Sequence, residues 1–249
     1  MLLSTPHAAL CGKAAPQKPV IDAKAADLFE TSCAYLAGLK GFSLKAELLL
    51  DLVYQGKAKV QIARNMDLAV KRPNAFRIDT TGDDMSVTSV FTGKTFTMAL
   101  LYRHLYNQAP FDKDTDALLD YLAEKHHLDS PLGDLLRNKP CADMSYASLS
   151  YMGLGFVGDT RCHHLFFQGD DIDWQIWIED GAAPLPRKLV ITEKRLPMAP
   201  QFTAFLRDWT LAEPAAAVFD YTPPANFTRD DNLFTHLRIE AEEGARYGK

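Results

Sequence analysis

A change of hydrophobic period after Gly41 most constrains the fold of this chain. From Phe42 to Leu52 apolar residues occupy every second position, and polar or charged residues take most of the positions between them. Successive side chains of a strand point to opposite faces of a sheet, so this pattern predicts a strand with one apolar face. The turn Gln55-Gly56-Lys57 follows, and apolar alternation resumes at Ala58. The segment therefore predicts a long, half-buried β-hairpin.

Further short apolar segments, each ended by turn residues, continue this pattern along the chain. Connections as short as these join antiparallel neighbours. We therefore predict an antiparallel sheet of about ten strands. The segments run over 66–71, 75–80, 85–91, 95–105, 146–157, 162–168, 173–179, 187–194 and 202–210.

Three helices are expected beside the sheet. Apolar residues recur at three- and four-residue steps over 22–39, and Thr115 is placed to cap a second helix over 116–125. Ser130-Pro131 opens a shorter helix through Leu136. The fold class is therefore α+β, with the helices interrupting a meander of strands.

The apolar face of the sheet is larger than these few helices can cover. A twisted sheet that curls around them leaves an apolar groove, and such grooves bind apolar ligands. Alternatively, side chains such as Phe91 and Phe96 fill the groove. The residues expected to line it are Leu48, Leu50, Phe91, Phe96, Met98, Leu100, Trp174 and Ile176.

Composition and motifs exclude several other functions. The net charge of −5 and the lack of any run of Lys and Arg argue against nucleic acid as a partner. No stretch of about 18 apolar residues is present, so we expect no membrane span. The chain has no GxSxG, no P-loop and no GxGxxG after a strand, and His163 and His164 point to opposite faces of one strand. We therefore expect neither enzymatic activity nor a cofactor or metal.

The four cysteines are Cys11, Cys33, Cys141 and Cys162, and none belongs to a CxxC motif. Cys33 lies on the apolar face of the first helix, as a small buried hydrophobic residue would. Cys141 and Cys162 each lie at the start of a strand region and would be neighbours if those strands pair. A disulfide between Cys141 and Cys162 would suit an oxidising compartment, although the fold does not require it.

Composition divides the chain into three parts. Residues 1–19 are rich in Ala and Pro and are interpreted as a disordered leader or the remnant of a signal, which leaves open a cytoplasmic protein with a loose amino end. Residues 20–227 form one domain. Residues 228–249 are a charged tail that can form a helix over 232–243.

The carboxyl half carries two specific sequence blocks, DWQIWIEDG at residues 173–181 and PLPRKLVIT at residues 184–192. With CHHLFF at 162–167, they resemble the signature of a bacterial family of predicted periplasmic proteins, the domain of unknown function 2092. That family is similar in architecture to the lipoprotein carriers of the bacterial envelope. The resemblance implies an incomplete, curved β-barrel with helices as a lid over an apolar concave face. It also implies a periplasmic location and carriage of an acyl chain, lipid or lipoprotein.

Two functional hypotheses follow. In the first, the chain is a non-enzymatic envelope protein that binds or carries a hydrophobic ligand in the groove between sheet and helices. In the second, the groove is filled, and the chain is a structural or interaction module whose sheet edge or lid binds another envelope protein.

Overall fold

The computed structural model describes residues 20–128, 131–142, 144 and 146–235, and these residues form one twelve-stranded sheet with three α-helices. The helices are α1 (Ala23–Gly38), α2 (Thr115–His126) and α3 (Gly133–Leu136). The strands are β1 (Gly41–Tyr54), β2 (Ala58–Lys71), β3 (Ala75–Gly82), β4 (Ser86–Phe91), β5 (Thr95–Leu100), β6 (Leu105–Pro110), β7 (Ser148–Val157), β8 (Thr160–Gln168), β9 (Ile172–Glu179), β10 (Pro186–Glu193), β11 (Gln201–Thr210) and β12 (Thr228–Arg229).

The order of the strands explains where the helices lie. Strands β1 to β6 are neighbours in sequence order, whereas β7 to β11 return from the opposite edge until β11 pairs with β1. Helices α2 and α3 occur in the connection from β6 to β7, which joins the two ends of the sheet. Strands β7 and β12 form the two edges, so the sheet does not close. The predicted α+β class and incomplete antiparallel barrel are confirmed, and among the described strands only the short β12 is parallel to its neighbour.

One rung of apolar side chains crosses the sheet and anchors the core. Phe42, Val70, Phe76, Phe91 and Phe96 lie opposite one another on successive strands. All five are at most 3% exposed. Their strict alternation with outward-facing residues fixes the register, since a slip of one residue would turn each aromatic ring to the other face.

A second cluster packs under α1. Phe29 from α1 contacts Phe167 and Trp174, and the last two rings stack with centroids 3.4 Å apart. Leu165 and Leu149 are fully buried in the same cluster. The helix therefore covers β7, β8 and β9, while α2 and α3 cover the phenylalanine-rich half of the sheet.

Two strand boundaries differ from the sequence-based prediction. The segment 66–71 is not a separate strand, because β2 stays in register with β1 over its whole length. The predicted strand 95–105 is broken by a 3₁₀ turn at Leu101–Arg103, after which His104 takes a left-handed conformation with φ 52°. This turn lets β6 fold back along β5 as an additional hairpin strand.

The helix ends show which side chains act as caps. Asp22 accepts hydrogen bonds from the backbone nitrogens of Lys24 and Ala25, at 2.9 and 3.2 Å. Asp114, not the predicted Thr115, caps α2 by accepting from the nitrogen of Ala117 at 3.0 Å.

The chain ends lie mostly outside the described residues. The leader assigned to residues 1–19 lies outside the described residues. Residues 236–243 of the helix expected over 232–243 lie outside them too. Thr228 and Arg229 of the assigned tail form β12 beside β6, and Leu233 and Phe234 are buried. The division at residues 19 and 227 therefore stays a prediction.

Candidate ligand cavity between sheet and lid

A cavity of about 720 Å³ separates the concave face of the sheet from the three helices. Its floor is formed by inward-facing residues of β1 to β5 and of β9 to β11, and its roof by α1, α2, α3 and the segment before β7. Most of the lining side chains are aliphatic, aromatic or Met. A concave apolar space of this size is typical of a small-molecule binding site.

The structure brings six of the eight predicted groove residues to this cavity. Phe91 instead packs inside the aromatic rung against Phe76 and Phe111. Leu100, at the end of β5, is buried opposite Val87 and Leu105 and does not line the cavity either. The lining residues are Leu48, Leu50, Phe96, Met98, Trp174 and Ile176. Their role in binding a ligand stays a prediction.

Sequence reasoning missed the part of the wall that the lid supplies. Leu119 and Leu122 of α2 and Leu132 and Leu135 near α3 face the cavity. The signal was present, because these leucines form the apolar stripes that predicted the helices. On the floor, Ser89 lies opposite Ile78 of β3 and Met98 of β5, and its small side chain leaves space that a larger one would fill.

The disulfide joins Cys33 to Cys141, and this corrects the predicted pairing of Cys141 with Cys162. Cys162 lies opposite Glu179 on β9, whereas Cys141 precedes β7 in a segment that packs against α1. Cys33 and Cys141 both line the cavity. The bond therefore closes one side of the lid covalently.

Cys162 is the free cysteine of the described residues and is fully buried. Burial raises the pKa of the Cys162 thiol to about 11, with the neighbouring Arg187 opposing the shift. Because the thiolate is the reactive form, this thiol is chemically inert at neutral pH.

Arg72 fixes the other side of the lid. Its guanidinium donates to the carbonyl oxygens of Leu39, Leu135 and Arg137, at 3.3, 3.1 and 3.1 Å. The same group lies 5.3 Å from the ring centroid of Phe42. Burial lowers the pKa of Arg72, and Asp116 opposes that shift. One side chain at the β2–β3 turn thus holds the end of α1 and the whole of α3 against the sheet.

The charged groups of the cavity lie at its partly exposed rim. Arg64 pairs with Asp84 through two nitrogens. Arg137 pairs with Asp120 at 2.9 Å and approaches Asp134 at 3.6 Å. Burial alone would lower the pKa of Arg137, but these carboxylates outweigh it and raise the pKa. The rim is therefore polar and internally neutralised, while the interior is apolar.

A smaller cavity of about 430 Å³ lies between α1 and the β9–β10 turn. His163 in its wall contacts Asp180 at 3.2 Å and Tyr151 at 3.0 Å. Asp180 also pairs with Arg161, whose hydrogen bond lowers the pKa of that carboxyl. These contacts join β7, β8 and the turn after β9, so the cluster has a structural role.

Two properties of the described residues bear on function. Within them, no group of three or more His, Cys, Asp or Glu side chains is placed to hold a metal ion. Across the same residues, no helix combines the length and the hydrophobicity needed to cross a membrane.

Several solved structures are similar to this chain at low sequence identity. An uncharacterized conserved protein from Thermus thermophilus is 10% identical, with a TM-score of 0.51 over 83% of this chain and 99% of that one. The lipoprotein LppX of Mycobacterium tuberculosis is 11% identical, with a TM-score of 0.47 over 78% and 98% of the two chains. The LolA superfamily protein NE2245 from Nitrosomonas europaea is 9% identical, with a TM-score of 0.42 over 79% and 97%. The first of these likenesses shows the fold alone.

The chain can also be compared by sequence. Among curated proteins, none matches it. The family model described as "Predicted periplasmic protein (DUF2092)" matches residues 25–229, which include both carboxyl-half blocks and every strand of the sheet. The chain therefore belongs to the DUF2092 family of predicted periplasmic proteins.

Proposed function

We propose that this chain is a periplasmic protein that binds or carries a hydrophobic ligand, namely an acyl chain, a lipid or the acyl chain of a lipoprotein, without catalysing a reaction. The observation that carries the proposal is the cavity of about 720 Å³ between sheet and lid. Protein interiors are packed as densely as organic crystals, so an apolar space of this size is costly unless it serves a ligand.

The chemistry of the wall favours an apolar ligand over a polar one. The interior is lined by residues such as Met66, Ile78 and Leu189, whose side chains offer no hydrogen bonds. A polar molecule placed among them would lose its contacts with water without replacement. An acyl chain instead gains about 0.8 kcal/mol for each methylene group that leaves water.

Two observations support the periplasm as the location. The family is described as one of predicted periplasmic proteins. The Cys33–Cys141 disulfide fits an oxidising compartment, since cytosolic thiols are kept reduced.

Native mass spectrometry of protein purified from periplasmic extract without detergent tests the proposal. We expect an adduct in the mass range of an acyl lipid, and organic extraction should release and identify it. The variant Ser89→Phe, which fills the cavity from its floor, should lose the adduct. The matched control Thr203→Phe places the same ring on the convex face, because Phe202 faces the cavity and adjacent strand residues alternate.

Two results would count against the cavity as the site of a bound lipid. An adduct that survives in Ser89→Phe would place the ligand elsewhere on the protein. A clean apo mass, together with no uptake of a fluorescent fatty acid by the delipidated protein, would contradict the proposal.

The edge of β7 beyond Leu149, where the segment before α1 bonds to it, favours a second candidate function, binding of a protein partner. Strand β7 contains no charged residue and no proline, the features that protect edge strands from pairing. Met152, Leu154 and Phe156 on it are 55, 55 and 70% exposed. Cross-linking in envelope extracts should then recover a partner that Phe156→Asp loses, while lipid binding stays unchanged. Equal recovery with Phe156→Asp would contradict this second function.

A further inference from the structure

We propose that the cavity recognises its ligand by an acyl ester group, whose carbonyl oxygen accepts hydrogen bonds from the hydroxyls of Thr80 and Ser89. This inference rests on the proposed function and names the chemical group that the same site binds. It follows from the position of these two side chains on an apolar floor, from their lack of hydrogen-bond partners and from the charges near them.

Thr80 of β3 and Ser89 of β4 interrupt the apolar floor of the cavity. Both residues line the cavity, and only 7 and 8% of their surfaces are exposed. The residues opposite them on the neighbouring strands are apolar, namely Met66 and Val87 for Thr80, and Ile78 and Met98 for Ser89. The side chains around the two hydroxyls therefore offer them no strong hydrogen bond.

Neither hydroxyl has a hydrogen-bond partner among the residues that the structure describes. By contrast, Ser32, which also lines the cavity, donates to the carbonyl oxygen of Pro184 at 2.7 Å, and the buried hydroxyl of Thr88 donates to Asp79 at 2.7 Å. Burying a polar group without a partner is costly, so native structures satisfy most of these groups. Two buried, unpaired hydroxyls that border a cavity therefore indicate a polar atom on the ligand.

The two hydroxyls lie close enough to share one oxygen atom. Thr80 pairs with Val87, and Ser89 lies two residues from Val87 on the same face of β4. Diagonal neighbours of this kind are about 7 to 8 Å apart. Each hydroxyl reaches out from its own backbone, and an O–H···O bond adds about 2.7 Å, so a carbonyl oxygen between them can accept from both.

The charges near the hydroxyls favour an uncharged acceptor over a carboxylate. Arg64 and Arg137, the cations in the described part of the wall, are bound by the carboxylates of Asp84 and Asp120. A ligand carboxylate would therefore leave water without gaining an unpaired cation, whereas an ester has no charge to lose from water.

The position of Arg64 indicates where the head group lies. Arg64 pairs across β3 with Gly82, two residues beyond Thr80, so Ser89, Thr80 and Arg64 form one diagonal across three strands. The side chain of Arg64 is 21% exposed, whereas the two hydroxyl residues are buried. A head group attached to the ester therefore extends along this diagonal toward the partly exposed rim.

A matched pair of lipids isolates the carbonyl group. Monopalmitoylglycerol and hexadecylglycerol have the same head group and chain length, but the first is an ester and the second is an ether. The delipidated, oxidised full-length chain is incubated with an equimolar mixture of the two. Native mass spectrometry then reads both adducts in one spectrum, because the masses of the lipids differ.

Two further mixtures test the charge and the source of the ester. Ionised palmitic acid competes with monopalmitoylglycerol in the first. In the second, a dipalmitoyl lipopeptide competes with dipalmitoylglycerol, because acyl esters occur both in bacterial lipoproteins and in glycerolipids. A preference for either source that is lost in the variant without both hydroxyls supports the assignment and names the source.

We expect the monopalmitoylglycerol adduct to exceed the hexadecylglycerol adduct about tenfold, since the ether lacks the carbonyl oxygen that accepts two hydrogen bonds. The double variant Thr80→Val/Ser89→Ala should bind the two lipids equally. Thr80→Ser keeps the hydroxyl and should keep the preference, as should the control Thr203→Val, which makes the same change on the convex face. Should the double variant fail to fold, Ser89→Ala alone should reduce the preference about threefold.

The results distinguish this inference from the proposed function. Equal ester and ether adducts on the natural chain, or an ester preference that the double variant retains, would overturn the roles of Thr80 and Ser89 and leave the proposed function standing. A palmitic acid adduct larger than the monopalmitoylglycerol adduct would do the same. Failure of all these lipids to bind would overturn both.

Discussion

Removal of the Cys33–Cys141 disulfide should lower the stability of the chain substantially. The bond spans a sequence separation of 108 residues. In the chain-entropy model, closing a loop of about this length removes about 4.7 kcal/mol of conformational freedom from the unfolded state. For a protein of this size, each kcal/mol changes the melting temperature by about 2 to 4 °C, so a fall of about 9 to 19 °C is expected.

The assay compares thermal unfolding of the oxidised chain, of the chain with a dithiol reductant, and of the Cys33→Ala/Cys141→Ala double variant. The chain with reductant and the double variant should share one melting temperature, which lies below that of the oxidised chain. The reductant should not change the melting temperature of the double variant. Alkylation in denaturant without reductant, followed by peptide mapping, should label Cys162 but neither Cys33 nor Cys141. A melting temperature insensitive to reductant, or a mapped bond between Cys141 and Cys162, would contradict a stabilising bond between Cys33 and Cys141.

Two further predictions concern Arg72 and His164. Arg72→Ala removes three hydrogen bonds from a cation to carbonyl oxygens and should lower the free energy of unfolding in urea by about 2 to 4 kcal/mol. Arg72→Lys should have an intermediate effect. An unchanged urea midpoint for Arg72→Ala would contradict the role of Arg72 in holding the lid. Burial lowers the pKa of His164 below its ordinary 6.5, Lys188 adding to this and a hydrogen bond with Gln175 opposing it. Because the unfolded state then binds the proton more tightly, the stability from neutral His164 is present above pH 6.5 and is lost as the pH falls through the lowered folded pKa. His164→Gln should therefore lose less stability than the natural chain between pH 7.5 and 5 in paired urea titrations; equal losses would contradict the assignment.

The sheet could be predicted because its signal is local. Alternation from Phe42 to Leu50 defines one face of β1, and short turns such as 55–57 specify an antiparallel neighbour. The groove residue Trp174, predicted on the inward face of β9, lies in the cavity wall. Period-two patterns report directly which face of a strand is buried.

The helices of the lid could be predicted, but their contacts and their covalent attachment could not, because these depend on which distant segments pack together. Cys141 lies near a strand in the sequence, but its partner is decided by how α1 packs over β7 to β9. Similarly, Phe91 and Leu100 have the correct inward period, yet neighbouring strands and the lid bury them away from the cavity. Periodicity predicts the buried face and does not say which buried residues border an open space.

The most direct test of the account is a crystal structure of protein purified from the periplasm without detergent. We expect continuous, elongated density between Met98 of β5 and Ile176 of β9, beneath the leucines of α2, with its polar end toward Arg64. A cavity closed by repacked side chains, or ligand density found only outside the space between sheet and lid, would contradict the central claim that this space is the binding site.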